Sequence, residues 1–334
     1  MSSGHCALRG PGRPRSGFVN GLAYCTLILL LLSGNTPAAA TVGPNVVVTT
    51  KPIHSLVAGV MQGVGTPALL VDGSASPHTF SLKPSHVRAI DAADVFIRVS
   101  EALEPFTGKI ARALPDSVRL VTLAEAPGVR LLDRRAGGDF EHHHSAGEEA
   151  HRGLLDHDNE GGKDGHIWLD PQNAKAIVAH VAEALSERDP AHAAQFKANA
   201  ARLDARLDAL AAELGAATKP LQQKPFVVFH DAYQYFEDRF GLDAVGSITV
   251  SPDVQPSAKR LTELRRKLRA LQAVCVFAEP LFQPNLVAAV TEGTDARSGT
   301  LDPEGVTLAP GPDLYAALMR NLAANLKACL APET

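Results

Sequence analysis

Residues 190–215 read PAHAAQFKANAARLDARLDALAAELG, and this stretch decides the fold. Phe196, Ala200, Leu203, Leu207, Leu210 and Leu214 recur at alternating spacings of four and three, which lays one apolar stripe along a helix. No Gly or Pro interrupts the pattern between Pro190 and Gly215. It predicts a single amphipathic helix of about 25 residues, on the order of 40 Å long. A coiled-coil arm is the competing reading, but the heptads stop after about three and a half turns of the pattern. A helix of this length can join two lobes.

Strands alternate with helices on both sides of it. Upstream, residues 45–50 form a short β-branched run, and Pro52 then opens a helical pattern carrying Ile53, Leu56, Val57 and Val60. Further strands are predicted at 68–71, 95–99 and 119–123, with helices at 84–92 and 103–114. Downstream of a helix at 171–185 and the long helix, strands are predicted at 226–229, 243–248, 274–277 and near 299–301. Helices at 233–240, 257–271, 285–292 and 313–330 separate and follow them. Such alternation indicates parallel α/β architecture in each half. About 290 residues beyond position 40 exceed one comfortable core, which also argues for two units. The expected organisation is an N-terminal α/β lobe over 41–188, a linking helix over 189–219 and a C-terminal α/β lobe over 220–334. The halves share no residue-level repeat.

The first forty residues combine Arg9, Arg13 and Arg15, an apolar run from Leu22 to Leu32 and the small residues Ala38, Ala39 and Ala40. This is the pattern of a secretory signal peptide over 1–40, its apolar run too short to span a bilayer. Cys25 follows Tyr24 inside that run, which argues against lipid attachment there. Cleavage leaves Cys275 and Cys329 as an even pair in an oxidising compartment, and a disulfide is the natural reading. Two buried free thiols are the alternative, since Cys275 lies in an apolar strand-like run and Cys329 near the end of a helix. The formal net charge is −4 with no basic patch interleaved with aromatics, so nucleic acid is a poor candidate partner. A small cation fits better.

Residues 139–164 crowd His142, His143, His144, His151 and His157 among many carboxylates and few apolar side chains. Such a tract buries too little to fold by itself, and its composition reads as metal binding of the zinc, copper or nickel kind. A solvated charged loop is the plainer reading. Its donors have no packed scaffold, so any zinc it takes is expected to be held weakly. Three further histidines stand at strand ends or element junctions. His78 lies in the loop after a strand, His166 precedes Ile167-Trp168 and the helix-opening Asp170-Pro171, and His230 ends the strand 226–229. In open α/β sheets, ligands bind at the carboxyl ends of strands. Each alone is more often a hydrogen-bonded structural histidine; together they supply the nitrogens of a three-coordinate zinc core.

A zinc hydrolase would want the same trio, but no H-E-x-x-H motif and no general-base glutamate beside the trio can be read from the sequence. Residues 156–161 suggest a calcium loop, yet Ile167 stands where the twelfth-position glutamate is needed. Gly162-Lys163 lacks the earlier glycine of a Walker A loop, so the chain is not read as an ATPase or any other enzyme.

Several segments, taken in order, resemble the ZnuA-type family, the periplasmic zinc-binding proteins of ABC importers within the metal-binding cluster of solute-binding proteins. They are Lys51-Pro52, His78-Thr79-Phe80-Ser81-Leu82, the acidic His-rich loop, His166-Ile167-Trp168-Leu169 and Phe229-His230-Asp231-Ala232-Tyr233. Cys275-Val276-Phe277-Ala278-Glu279-Pro280 and Thr300-Leu301-Asp302-Pro303 continue the series. The resemblance implies two α/β lobes with parallel sheets joined by one long rigid helix, and a metal site of His78, His166 and His230 in the cleft between them. It also implies a disulfide between Cys275 and Cys329. Zinc would be the transported ligand of a periplasmic, monomeric protein whose partners are an inner-membrane ABC permease and its ATPase. Close zinc members carry a glutamate just before the first ligand histidine, where this chain has Pro77. The fourth ligand is therefore open between water, a residue of the His-rich loop and Asp302. A secreted zinc hydrolase and a carrier of manganese or another divalent metal are the rival functions, and a third imidazole in place of a carboxylate favours zinc.

Overall fold

The computed structural model describes residues 43–73, 75–135, 140, 162–249, 256–270, 272–282 and 284–331. The signal segment and residues 139 and 141–161 of the His-rich tract lie outside the described residues.

Two four-stranded parallel sheets organise the described chain. The first contains β1 (Val46–Val48), β2 (Ala68–Leu69), β3 (Val95–Arg98) and β4 (Arg119–Thr122) in the order β2-β1-β3-β4. The second contains β5 (Phe226–Val228), β6 (Ala244–Ser247), β7 (Cys275–Ala278) and β8 (Arg297–Thr300) in the equivalent order β6-β5-β7-β8. In each sheet the strand order reverses between the first and third strands. That makes the carboxyl ends of β1 and β3, and of β5 and β7, the switch points at which open α/β sheets form crevices.

Helices α1 (Lys51–Val60), α2 (Pro84–Asp91) and α3 (Thr107–Ala111) belong to the first half, and α4 (Pro171–Arg188) follows it. Proline stands in the first turn of α1, α2 and α4, where its missing N–H costs nothing. Asp170 caps α4 by accepting from Gln172 N at 2.8 Å. The helix expected over 103–114 is shorter in the structure. Pro105 disfavours helical geometry at Glu104, whose carboxylate instead accepts the Val99 and Ser100 N–H groups at 2.7 and 3.2 Å.

The long helix is present as α5 (Ala193–Thr218), entered through a 3-10 turn at Pro190–His192 and about 39 Å long by its 26 residues. It packs on α1 and α4 and also on α9 (Leu314–Leu330), so one rigid rod touches both halves. Phe196, Leu207, Leu210 and Leu214 are buried along it, while Ala200 and Leu203 pack partly buried against the same core. The second half adds α6 (Gln234–Phe240), α7 (Ala258–Ala270) and α8 (Pro284–Thr291). Gly241, at φ 67°, ends α6 in the left-handed conformation that a side chain disfavours. Among the described residues no helix is long and apolar enough to cross a membrane.

One buried core runs through both lobes. It includes Val46, Ile97, Trp168, Phe226, Phe277 and Tyr315, while the other face of each sheet has its own smaller cluster around Phe96 and Val276. Strand alternation sorts the residues, with Val46 and Val48 turned to the shared core and Val47 to the outer one. Buried polar contacts cross the seam: Trp168 Nε1 donates to Pro303 O at 2.9 Å, Tyr315 OH to Trp168 O at 2.8 Å, and Lys51 Nζ to Val306 O at 2.9 Å.

Cys275 at the start of β7 is bonded to Cys329 in the last turn of α9, their Cα atoms 6.1 Å apart. Closing a loop of 54 residues restricts the unfolded chain by about 4 kcal/mol in the chain-entropy account. Reduction should therefore lower the melting temperature by about 10 °C in a protein of this size. Calorimetry with and without reductant checks this; two free thiols in mass mapping of the unreduced protein would contradict it.

Candidate metal centre

His78, His166 and His230, which stand far apart in sequence, converge. One ring nitrogen of each lies within 4.8 Å of the others, and the ring centroids are 5.3 to 5.7 Å apart. His230 lies two residues after the end of β5, at the second sheet's switch point. His166 opens the 3-10 turn Ile167–Leu169 that leads into α4. His78 sits in the turn after β2, its backbone N–H donating to Ser76 Oγ at 3.3 Å. The first two are buried and the third half-buried.

Two carboxylates orient the buried rings. Asp164 Oδ1 lies 2.7 Å from His166 Nδ1 and accepts the His166 backbone N–H at 3.0 Å. Glu279 Oε1 lies 2.8 Å from His230 Nδ1. A carboxylate accepting from Nδ1–H fixes the tautomer that leaves the Nε2 lone pair free, the usual outer-shell device of a histidine metal ligand. The freed atoms face each other, with His166 Nε2 and His230 Nε2 3.4 Å apart. Zinc–nitrogen distances of 2.0 to 2.1 Å in a tetrahedron put ligand nitrogens about 3.3 to 3.4 Å apart, so this spacing suits a zinc-sized ion.

Burial pulls the His78 imidazole down to about 2, helped by repulsion from His166, His230 and Arg134, so its surroundings disfavour a proton. His230 goes the other way. Burial disfavours its proton, but the Glu279 charge and hydrogen bond outweigh that, and its value is raised above 6.5. Burial, then Asp302, Glu104 and Glu279 push Glu304 well above the carboxylate range, with Lys51 opposing. The carboxyl groups of Glu279, Asp302 and Glu304 line a cavity beside His78 and His230.

The sequence reading missed the roles of Asp164 and Glu279. Asp164 was counted only among the acids of the tract, although its place two residues before His166 is a signal. Glu279 is 49 residues from His230, and only topology joins them: β5 and β7 are parallel neighbours, so the residues that follow them emerge side by side. A glutamate does stand beside the trio, contrary to expectation, but it engages Nδ1 rather than the side where a reacting water would bind. Asp302 is not part of the cluster among the described residues. Its carboxylate accepts the backbone N–H of Glu304 at 3.2 Å, within its own turn. Beside His78 and His230, Pro77, Asp302 and Glu304 line a cavity of about 10 Å³, room for one water.

The profile of a family described as zinc-uptake complex component A, periplasmic, matches residues 46–329. The high-affinity zinc uptake system protein ZnuA of Brucella abortus is 47% identical over 304 residues, covering 85% of this chain and 91% of its own. The ZnuA of Paracoccus denitrificans is 38% identical over 88% of this chain and 94% of its own. A crystal structure of ZnuA superposes with a TM-score of 0.71 at 25% identity, covering 86% of this chain and all of that one. The same two-lobed α/β fold, with a long helix joining two parallel sheets, is found in that structure. With a profile matching nearly all of the described chain and a relative at 47% identity, the chain belongs to the ZnuA family, the periplasmic A components of zinc-uptake complexes.

Proposed function

We infer that this protein captures Zn²⁺ in the periplasm as cargo and delivers it to an inner-membrane ABC permease driven by an ATPase. The ion is held by Nε2 of His166, Nε2 of His230 and a ring nitrogen of His78, at the junction of a 41–188 lobe and a 220–334 lobe linked by helix 189–219. One observation carries the reading: two buried imidazoles, each backed by a carboxylate, present facing lone pairs at 3.4 Å. Family membership and the names of its relatives support zinc as the ion. Three imidazoles suit zinc better than manganese, which favours oxygen donors. The hydrolase alternative loses ground because the chain belongs to a family of zinc-uptake components, and Glu279 and Asp164 are engaged behind the rings.

His78→Ala, His166→Ala and His230→Ala should each weaken the tight site by orders of magnitude. Calorimetry on protein lacking residues 141–161 reads this without interference from the imidazoles of the tract. Undiminished binding in all three variants would remove the assignment.

Proton competition should centre on His230. Zinc binds only neutral imidazole, the surroundings of His78 disfavour its proton, and the raised value of His230 means that its proton returns early as pH falls. Zinc affinity should begin to fall above pH 6.5 and keep falling below it. A titration of affinity from pH 8 to pH 5 that stays flat would contradict histidine ligation.

We take the fourth ligand to be a water in the cavity that Pro77 lines together with Asp302 and Glu304. Pro77→Glu should then tighten zinc binding by displacing it, whereas Asp302→Ala should change affinity little because that carboxylate serves its own turn. If Asp302→Ala costs as much as loss of a histidine, Asp302 is the ligand instead.

A further inference from the structure

Arg135 lies on the segment between β4 and His166, and its guanidinium reaches across to the turn that carries His230. Nε donates to Asp231 Oδ1 and Oδ2 at 3.1 and 3.0 Å, and Nη2 also donates to Asp231 Oδ1. Nη1 and Nη2 donate to Glu237 Oε2 and Oε1 at 2.8 and 3.0 Å. The Phe140 ring covers the guanidinium face at 3.6 Å, and Phe140 is itself buried, its N–H directed to Val245 O at 3.4 Å. Both carboxylate side chains are only 7% exposed. Two buried anions this close are tolerable only with a cation between them, and the planar fork of arginine can bond both where the point charge of lysine cannot.

The placement gives this clasp its meaning. Asp231 is the residue after His230, and Glu237 lies in the first turn of α6. Glu279 fixes the His230 ring, and Arg135 fixes the backbone that follows it. The same segment pairs with the chain returning to His166: Asp133 and Lys163 form an antiparallel bridge, Arg134 N donates to Gly162 O and Asp164 N to Leu132 O, both at 2.9 Å. Tyr235 of α6 ties the ladder down, its OH donating to Asp164 O at 2.8 Å and accepting from Leu132 N at 3.0 Å. Arg135 thus links the residue after His230 to the ladder that carries Asp164, the partner of His166.

We propose that Arg135 is a positioning residue of the zinc site: by clasping Asp231 and Glu237 beneath Phe140, it locks the His230 turn to the ladder that carries Asp164 and so sets how slowly zinc leaves. This rests on the zinc reading above. Nothing in the clasp touches the ion; it preserves the spacing of the two Nε2 atoms that do.

Mixing zinc-loaded protein with excess chelator in a stopped-flow spectrometer reads the release rate. Arg135→Met should speed release about tenfold or more, the scale on which outer-shell partners act. Arg135→Lys, which restores the charge without the fork, should fall between that and the wild type. Arg130→Met is the control. It removes the exposed pair with Asp238, which ties the same segment to the same helix without reaching the His230 turn, and it should leave release unchanged. An unchanged rate in Arg135→Met, or the same acceleration in Arg130→Met, overturns the proposal. If Arg135→Met does not fold, Arg135→Met combined with Asp231→Asn and Glu237→Gln removes the buried charges together and carries the same expectation. A wild-type protein that holds no tight zinc defeats the zinc reading itself, an outcome distinct from tight zinc with an insensitive release rate.

Discussion

Two imidazole nitrogens 3.4 Å apart in a buried site are the constraint on which this structure turns. If both carried lone pairs with nothing between them they would repel, and if both carried protons they would clash. Asp164 and Glu279 resolve the tautomers by drawing the protons to the Nδ1 side, but that leaves the repulsive arrangement of two facing acceptors. An isolated peptide would relieve it by rotating the rings apart. The fold does not allow this, because each ring is pinned by its carboxylate and each carboxylate is itself buried. Repulsion that cannot relax becomes affinity for a cation, since the ion meets donors already at the separation that it requires.

Holding that separation needs a rigid seam, which the shared core supplies. Trp168, two residues after His166, is fully buried, and its indole donates to Pro303 while Tyr315 from α9 donates to its carbonyl. Lys51 at the start of α1 reaches the Val306 and Leu308 carbonyls of the other half. With α5 bridging behind, the lobes share an interior instead of meeting at a wet interface. A hinge built on exposed contacts opens easily; a seam that buries a tryptophan does not. Changes at the site are thereby confined to the turns that carry the ligands.

Most of the fold was legible because its signals are local. The stripe from Phe196 to Leu214 gave the connecting helix, prolines marked the helix starts, and β-branched runs marked the strands. The histidine trio was legible because each member stands where one element ends and another begins. What the sequence could not deliver is what depends on pairing. Glu279 acquires its partner only through the β5–β7 neighbourhood, and the competition between Glu104 as a backbone cap and as a helix residue is decided by Pro105 beside it. Arg135 carries no motif of its own, and two of its three buried partners, Asp231 and Glu237, come from 96 and 102 residues away.

The three histidines of the cluster are not equivalent in how they are held. His166 and His230 are buried and carboxylate-backed, and both belong to turns tied into the shared core. His78 is half-buried, and no hydrogen bond holds its ring among the described residues. Burial, with its imidazole and cationic neighbours, disfavours its proton, so what sets it apart is how little holds its ring. Under the zinc reading, departure of the ion needs both sides to yield: the His78 turn, held by little, and the His230 turn, which the Arg135 clasp restrains and which therefore sets the pace.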